Sequence, residues 1–166
     1  ARSEQQYIEL DGTAAPMRRS ELVGVRGKGP GGKAKSREVK LGCVFTQSGV
    51  DAEGRPVRDA FSTSYIAAIE NSSTFGLRLY QEAVRCELNH FTAQPVVISD
   101  GAEYNATIVQ EQFPGSLHII DIYHAYEHLA DFVKNFTKHE ADGQFHEQCR
   151  ELLREGRIEQ LVENMK

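Results

Sequence analysis

Long hydrophobic runs are missing from this chain, and cysteine is scarce. No stretch approaches the roughly 18 consecutive apolar residues of a membrane-spanning helix, and the N-terminus lacks the apolar segment of a signal peptide. The three cysteines, Cys43, Cys86 and Cys149, are odd in number and far apart, which argues against a disulfide framework and against a Cys-x-x-Cys zinc site. We therefore expect a cytoplasmic protein with reduced cysteines.

Positive charge is also low overall, but it is concentrated in one segment. The chain carries a net charge of −5, yet residues 16–40, which we call the basic arm, hold eight Lys and Arg against two Glu, a local net charge of +6. Such an excess can attract phosphates even on an acidic protein, although a solvated loop remains an alternative. The candidate DNA-binding residues are Arg18, Arg19, Arg26, Lys28, Lys33, Lys35 and Arg37.

The hydrophobic pattern predicts an α/β fold. A chain of 166 residues with 40% hydrophobic content is the size of one domain. Apolar runs predict strands at residues 6–11, 39–46, 57–66, 96–99 and 117–120, and helical periodicity predicts helices at about 71–89 and 102–113. Short connections make the first three strands antiparallel, and two right-handed crossovers make the last two parallel. The order βββαβαβ is the pattern of a ribonuclease H-like fold with a mixed five-stranded sheet and flanking helices.

The C-terminal part of the chain is predicted to be helical. We place the ribonuclease H-like core at residues 1–122 and the start of an all-helical insertion subdomain at residues 123–166, where apolar residues recur at helical spacing. The chain begins with Ala and ends within a charged helical segment. We therefore expect it to be a piece of a longer protein.

Two aspartates, each followed by glycine, stand at the predicted ends of hydrophobic strands: Tyr7-Ile-Glu-Leu-Asp11-Gly-Thr and Val96-Val-Ile-Ser-Asp100-Gly-Ala. An isolated Asp-Gly is equally a tight-turn signal, but the helix predicted from Ala102 is not explained by a hairpin turn. If the two strands are parallel neighbours, about 4.8 Å apart, both carboxylates meet at the edge of the sheet where ligands collect. Mg²⁺ prefers such carboxylate oxygens, so this pair is a candidate metal site.

Several segments together resemble bacterial insertion-sequence transposases of the DDE type, in the mutator-like branch. The matching segments are Leu10-Asp11-Gly-Thr, Pro16-Met-Arg-Arg, Arg37-Glu-Val-Lys-Leu-Gly-Cys-Val-Phe-Thr, Ser99-Asp100-Gly-Ala, and Phe113-Pro-Gly through Asp121-Ile-Tyr-His124-Ala-Tyr-Glu-His128-Leu. The resemblance implies metal-dependent cleavage and strand transfer of DNA at transposon ends by a protein that works as a homo-oligomer.

The resemblance also implies roles for individual residues. Asp11 and Asp100 correspond to the first two acids of the catalytic triad and to ligands of Mg²⁺ or Mn²⁺. Asp121-Ile-Tyr-His124 resembles the Asp/Cys-x-x-His signature of the mutator-like branch, which makes His124 a candidate catalytic residue near the scissile phosphate. The third acid of the family has no convincing counterpart before Lys166, so we expect it to lie outside this chain and the isolated fragment to lack independent activity.

The sequence also bears on three alternatives to an active transposase. An inactive or domesticated relative would only bind DNA or a protein partner. The motif His124-Ala-Tyr-Glu127-His128 matches the H-x-x-E-H pattern of inverted zinc peptidases, although no downstream carboxylate ligand is evident and the histidines could simply make polar contacts. A near match to a nucleotide-binding P-loop ends at Ala34, which has no hydroxyl for Mg²⁺, and strand follows where a helix is needed. We reject nucleotide hydrolysis for that reason.

Overall fold

The protein is an α/β structure with a mixed sheet, as the sequence predicts. A computed structural model describes residues 5–27, 29–86, 93–136 and 142–165; Lys28 and the predicted helix end near Asn89 lie outside these ranges. The strands are β1 (Gln6–Pro16), β2 (Ser36–Val50), β3 (Pro56–Arg58), β4 (Ser64–Ala68), β5 (Val96–Ser99) and β6 (Leu117–Ile120). The helices are α1 (Ser72–Arg85), α2 (Glu103–Gln112), α3 (Ile122–Phe136), α4 (Asp142–Arg154) and α5 (Ile158–Asn164).

The sheet is built around β1, which has one antiparallel and one parallel neighbour. The strand order is β3-β2-β1-β5-β6, and β4 also pairs with β2. β1 pairs antiparallel with β2 along its whole length, and it pairs parallel with β5 from Tyr7↔Val96 to Leu10↔Ser99. The antiparallel and parallel halves of the sheet therefore meet at β1.

The predicted third strand, residues 57–66, is wrong in one respect, because the structure has two short strands there. The carboxylate of Asp59 accepts hydrogen bonds from the backbone N–H of Ser48 (3.0 Å) and the hydroxyl of Thr46 (2.6 Å), and this fixes a turn. Phe61 follows with a positive φ of 62°, a conformation that cannot continue a strand. β3 and β4 consequently pair separately with β2, and the sheet has six strands instead of five.

The first strand is longer than the sequence suggests. It was predicted to end at Asp11, but it continues to Pro16 because β2 is long enough to pair with it from Gln6↔Thr46 to Pro16↔Ser36. Asp-Gly at this position is therefore neither a turn nor a strand exit. Only the parallel partner β5 ends here, one residue before Asp100.

The hydrophobic core of the sheet domain lies between one face of the sheet and helices α1 and α2. Asn71 begins α1 by accepting a hydrogen bond from the backbone N–H of Thr74 (2.8 Å). β6 was predicted to be buried, but Leu117 and Ile119 are exposed, as an edge strand allows. The core residues are Ile8, Leu10, Val44, Phe75, Leu79, Ala83, Val97, Ile108, Val109 and Phe113.

The chain divides into two compact units, one ending at Ile119 and one beginning at Ile120. The second unit contains helices α3, α4 and α5 and has its own small core of Leu129, Val133, Cys149 and Leu161. The sequence-based boundary was placed after residue 122. Among the described residues, no helix is both long and apolar enough to cross a membrane.

Candidate active site

Asp11 and Asp100 occupy equivalent positions on neighbouring strands. The parallel ladder between β1 and β5 ends at the pair Leu10↔Ser99, and the residue that follows each member of this pair is one of the two aspartates. The strands are thus the parallel neighbours that the argument from sequence required. Strands paired in this way lie about 4.8 Å apart.

Each aspartate has one carboxylate oxygen fixed by local hydrogen bonds. Asp11 Oδ1 accepts a hydrogen bond from the backbone N–H of Gly12 (2.7 Å). Asp100 Oδ1 accepts two, from the backbone N–H of Ala102 (2.9 Å) and from Nδ2 of Asn105 (2.7 Å), a buried residue of α2. Within the described part of the chain, neither Oδ2 atom accepts a hydrogen bond, so one oxygen of each carboxylate remains available to a ligand.

A third carboxylate, Glu38, lies near this pair and was not identified from the sequence. Its Oε1 accepts a hydrogen bond from the hydroxyl of Tyr104 (3.2 Å), and its Oε2 accepts one from the buried Nζ of Lys40 (2.5 Å). Burial, the charge of Glu38 and the hydrogen bond to it, and the negative charges of Asp100 and Asp11 together raise the pKa of Tyr104 to about 12. Tyr104 therefore stays protonated at neutral pH, and the negative charge of each of the three carboxylates disfavours its ionisation.

The two faces of the sheet carry different parts of this site. Glu38 and Lys40 project towards α2, where the Lys40 ammonium lies 4.9 Å from the centroid of the Tyr104 ring. Asp11 pairs with Leu41, and the next pair along β1 is Gly12↔Lys40. Because successive side chains of a strand point to opposite faces, Asp11 projects from the face opposite to that of Lys40. There it lines a cavity of about 340 Å³ together with Glu9, Leu41, Cys43 and Tyr65.

Ser99 and His118 support the backbone at Asp100. The Ser99 hydroxyl donates to the backbone carbonyl of Asp100 (2.9 Å) and lies 2.9 Å from Nε2 of His118. Because the hydroxyl has only one proton, His118 donates through Nε2 in this arrangement. Burial lowers the pKa of His118, which favours its neutral form. The end of β5 is therefore held by a neutral hydrogen-bonded pair.

The basic arm continues the hairpin formed by β1 and β2. The backbone N–H of Met17 donates to the carbonyl of Lys35 (3.4 Å), and Arg26 and Lys33 form an isolated antiparallel bridge. Two short 3-10 turns, Arg19–Leu22 and Pro30–Gly32, complete the arm. Of the seven cations predicted to bind DNA, six are described and all six side chains are exposed: Arg18, Arg19, Arg26, Lys33, Lys35 and Arg37.

His124, Glu127 and His128 lie on α3, in the second unit. His124 Nδ1 is 3.6 Å from the carboxylate of Glu127, and Asp121 Oδ1 accepts a hydrogen bond from the backbone N–H of Tyr123 (2.8 Å) at the start of this helix. The H-x-x-E-H pattern is therefore helical, with its two imidazoles one turn apart. Glu127 contacts one imidazole, and no third protein ligand accompanies them among the described residues.

The donor set at Asp11 and Asp100 suits a hard divalent cation. Across the described residues, no group of three or more His, Cys, Asp or Glu side chains is arranged to hold a metal. Mg²⁺ does not require such a group, because it is commonly bound through one or two carboxylates, several waters and substrate phosphates. The Oδ2 atoms of Asp11 and Asp100 are donors of this kind.

Two comparisons with known proteins gave no match. No protein-family model matches the chain, and no curated protein matches it either.

The residues missed by sequence reasoning carry only weak sequence signals. Asn105 follows Asp100 by five residues, which places it in the first turn of the predicted helix, within reach of a carboxylate before that helix. Glu38 and Lys40 alternate within a strand and so share one face. Nothing in the sequence shows that this face would meet Tyr104.

Proposed function

We propose that this chain is the catalytic core fragment of a DDE-type transposase with a ribonuclease H-like fold, which cleaves DNA phosphodiester bonds and transfers the resulting strands. The observation that carries this proposal is the placement of Asp11 and Asp100 immediately after Leu10↔Ser99, the last pair of the parallel ladder between β1 and β5. The arrangement of an antiparallel β1-β2 hairpin beside a parallel β5 supports the proposed fold. The transposase-like motifs supply the reaction class.

The chemistry requires stabilisation of negative charge on the phosphoryl group in transfer. Divalent ions held here would neutralise that charge and lower the pKa of the attacking water or 3′ hydroxyl. The Oδ2 atoms of Asp11 and Asp100 are the atoms that would hold them. Hydrogen bonds from Gly12, Ala102 and Asn105 to the opposite oxygens orient the carboxylates before any ligand binds.

Other parts of the proposal follow from the motifs and from charge. His124 is assigned a role near the scissile phosphate because Asp121-Ile-Tyr-His124 resembles the mutator-like signature. The basic arm is assigned contacts with DNA phosphates, and the third acid is expected outside this chain. A homo-oligomer acting on paired transposon ends and a cytoplasmic location complete the proposal.

Calorimetric titration with Mn²⁺ tests the metal site. We expect the wild type to give binding heat, and Asp11→Asn and Asp100→Asn each to abolish it. The matched control is Glu111→Gln, an exposed glutamate of α2, which should retain the wild-type heat. Equal heat from Asp11→Asn and wild type, or no heat from wild type, would refute the metal site.

A second candidate function is a module that binds DNA without cleaving it. The six exposed cations of the basic arm favour this possibility, because they need no metal to bind phosphates. DNA cleavage assays in Mg²⁺ and Mn²⁺ separate the two candidates. Salt-sensitive DNA affinity without metal-dependent cleavage, even when a chain extended beyond Lys166 is tested, would favour the binding module.

A further inference from the structure

The described lysines and arginines fall into two groups that differ in their partners. Outside the stretch from Arg18 to Arg37, every described Lys and Arg forms an ion pair with a carboxylate. These nine are Lys40, Arg55, Arg58, Arg78, Arg85, Lys134, Arg150, Arg154 and Arg157. By contrast, none of the six described cations between Arg18 and Arg37 forms an ion pair with a described residue. Among the residues that the structure describes, the unpaired positive charge of this acidic protein thus lies between Arg18 and Arg37.

Part of this charge lies on the same face of the sheet as Asp11. Ala15 lies four residues after Asp11 on β1, so the two residues share a face, and Ala15 pairs with Arg37. The side chains of Asp11 and Arg37 therefore project from the same face of the sheet. Lys35 continues the row, because the bond from Met17 N–H to its carbonyl keeps the register. An extended chain spans at most about 3.6 Å per residue, so Arg37 lies within about 14 Å of Leu41 along the strand.

The arm has cations but no aromatic side chains. Residues 16–40 contain no Phe, Tyr or Trp. Proteins that bind single-stranded nucleic acid stack bases on aromatic rings, whereas contacts with duplex DNA can be made through phosphates alone. The chemistry of the arm therefore fits the backbone of a double helix.

We infer that the basic arm binds the phosphate backbone of duplex DNA without reading its sequence, and that it holds the duplex against the Asp11 face of the sheet. The first part of this inference depends only on the arm. The second part rests on the proposed function, because it assumes that Asp11 and Asp100 bind a metal that contacts DNA. Preferential binding of a single-stranded nucleic acid or of an acidic protein to the arm would contradict this inference.

Fluorescence anisotropy in the presence of EDTA tests the first part. The variant is Lys33→Gln/Lys35→Gln/Arg37→Gln, and the matched control is Lys134→Gln/Arg150→Gln/Arg154→Gln, three exposed cations of the helical unit. For the wild type we expect duplex DNA to bind more tightly than a single strand of equal length. The slope of log K against log salt should fall by about 0.9 for each phosphate contact removed by the arm variant, up to about 2.7.

The control variant should keep the wild-type slope. An arm variant with unchanged slope, or a wild type that prefers the single strand, would overturn the inference. If Mn²⁺ gives no heat but the arm-dependent duplex binding persists, the proposed function fails while this part of the inference stands.

Linkage between DNA and metal tests the second part. Phosphates of a correctly placed duplex supply further ligands to the ion, so saturating duplex should raise Mn²⁺ affinity of the wild type. In the absence of DNA, the arm variant should bind Mn²⁺ with the affinity of the wild type. At a duplex concentration that saturates the variant, we expect no such increase in its Mn²⁺ affinity. An equal increase in the arm variant at a duplex concentration that saturates it would refute placement by the arm.

Discussion

Asn105 donates a hydrogen bond of 2.7 Å from its side-chain amide to the carboxylate of Asp100, and it does so from an almost fully buried position on α2. This single contact ties the end of β5 to the helix that follows it. It also selects which carboxylate oxygen faces the protein and which is left for a ligand.

Removing this amide should weaken both folding and metal binding. A hydrogen bond to a charged group contributes about 1.5–3 kcal/mol, so we expect Asn105→Ala to lower the free energy of unfolding by an amount in this range. Urea denaturation measures the loss, and Mn²⁺ titration should show weaker binding. Thr107→Ala, which removes an exposed hydroxyl from the same helix, is the control and should change stability by less than about 0.5 kcal/mol. An equal loss in both variants would contradict a specific role for Asn105.

A side chain at position 12 should displace the Tyr104 hydroxyl from its present position. A Cβ at position 12 would lie 2.8 Å from the Tyr104 hydroxyl and 3.1 Å from a carboxylate oxygen of Glu38. We expect Gly12→Ala to cost about 1–3 kcal/mol, measured by urea denaturation, and to reduce Mn²⁺ binding heat. The double variant Gly12→Ala/Tyr104→Phe lacks the hydroxyl oxygen closest to the new methyl group. It should regain part of the lost stability and part of the lost Mn²⁺ binding heat. If the double variant is no better than the sum of the single variants, the clash is not the cause.

Stability in acid should depend on Glu82. Hydrogen bonds from Arg85 and from the Ser64 hydroxyl lower the pKa of Glu82 from its usual 4.5 to about 2, against an opposing effect of burial. A lowered pKa in the folded state means that the stabilisation is present above pH 4.5 and is lost as the pH falls towards 2. Urea midpoints at pH 6, 4 and 2.5 should therefore fall more steeply for wild type than for Glu82→Gln. The control Glu111→Gln should follow the wild-type curve.

Gly42 and Leu79 should be energetically coupled. A Cβ at position 42 would lie 2.6 Å from Cδ1 of Leu79, which is fully buried, and 3.0 Å from Ile66. We expect Gly42→Ala to cost about 1–3 kcal/mol and Leu79→Ala about 2–5 kcal/mol. Because the smaller side chain makes room for the new methyl group, the double variant should be more stable than additivity predicts by about 0.5–3 kcal/mol. Strict additivity in urea denaturation would contradict this packing.

The sequence predicts local structure well wherever one residue pattern dominates. The apolar run at 96–99 and the helical stripe containing Phe75 and Leu79 are found as β5 and α1. The end of β1 was missed because strand length depends on the partner, and the length of β2 is not visible in the residues around Asp11. The break between β3 and β4 was missed because it depends on hydrogen bonds from Asp59 to residues more than ten positions away.

The candidate site shows the same limit. Two aspartates could be proposed from repeated strand-Asp-Gly patterns, because parallel pairing brings strand ends together. The contact of Glu38 with Tyr104 could not, because it joins β2 to α2 across 66 residues. The absence of ion pairs at the six described cations between Arg18 and Arg37 is likewise a property of the folded chain, since it depends on where the carboxylates lie.

The basic arm extends from the ends of β2 and of β1, the strand that carries Asp11, and backbone pairing joins these two strands from Asp11↔Leu41 to Pro16↔Ser36. A load applied to the arm, such as the bending of a bound double helix, would therefore reach position 11 directly through the pairs Ala15↔Arg37 and Thr13↔Val39. Mechanical strain in the bound polymer and the geometry of the carboxylate would then change together.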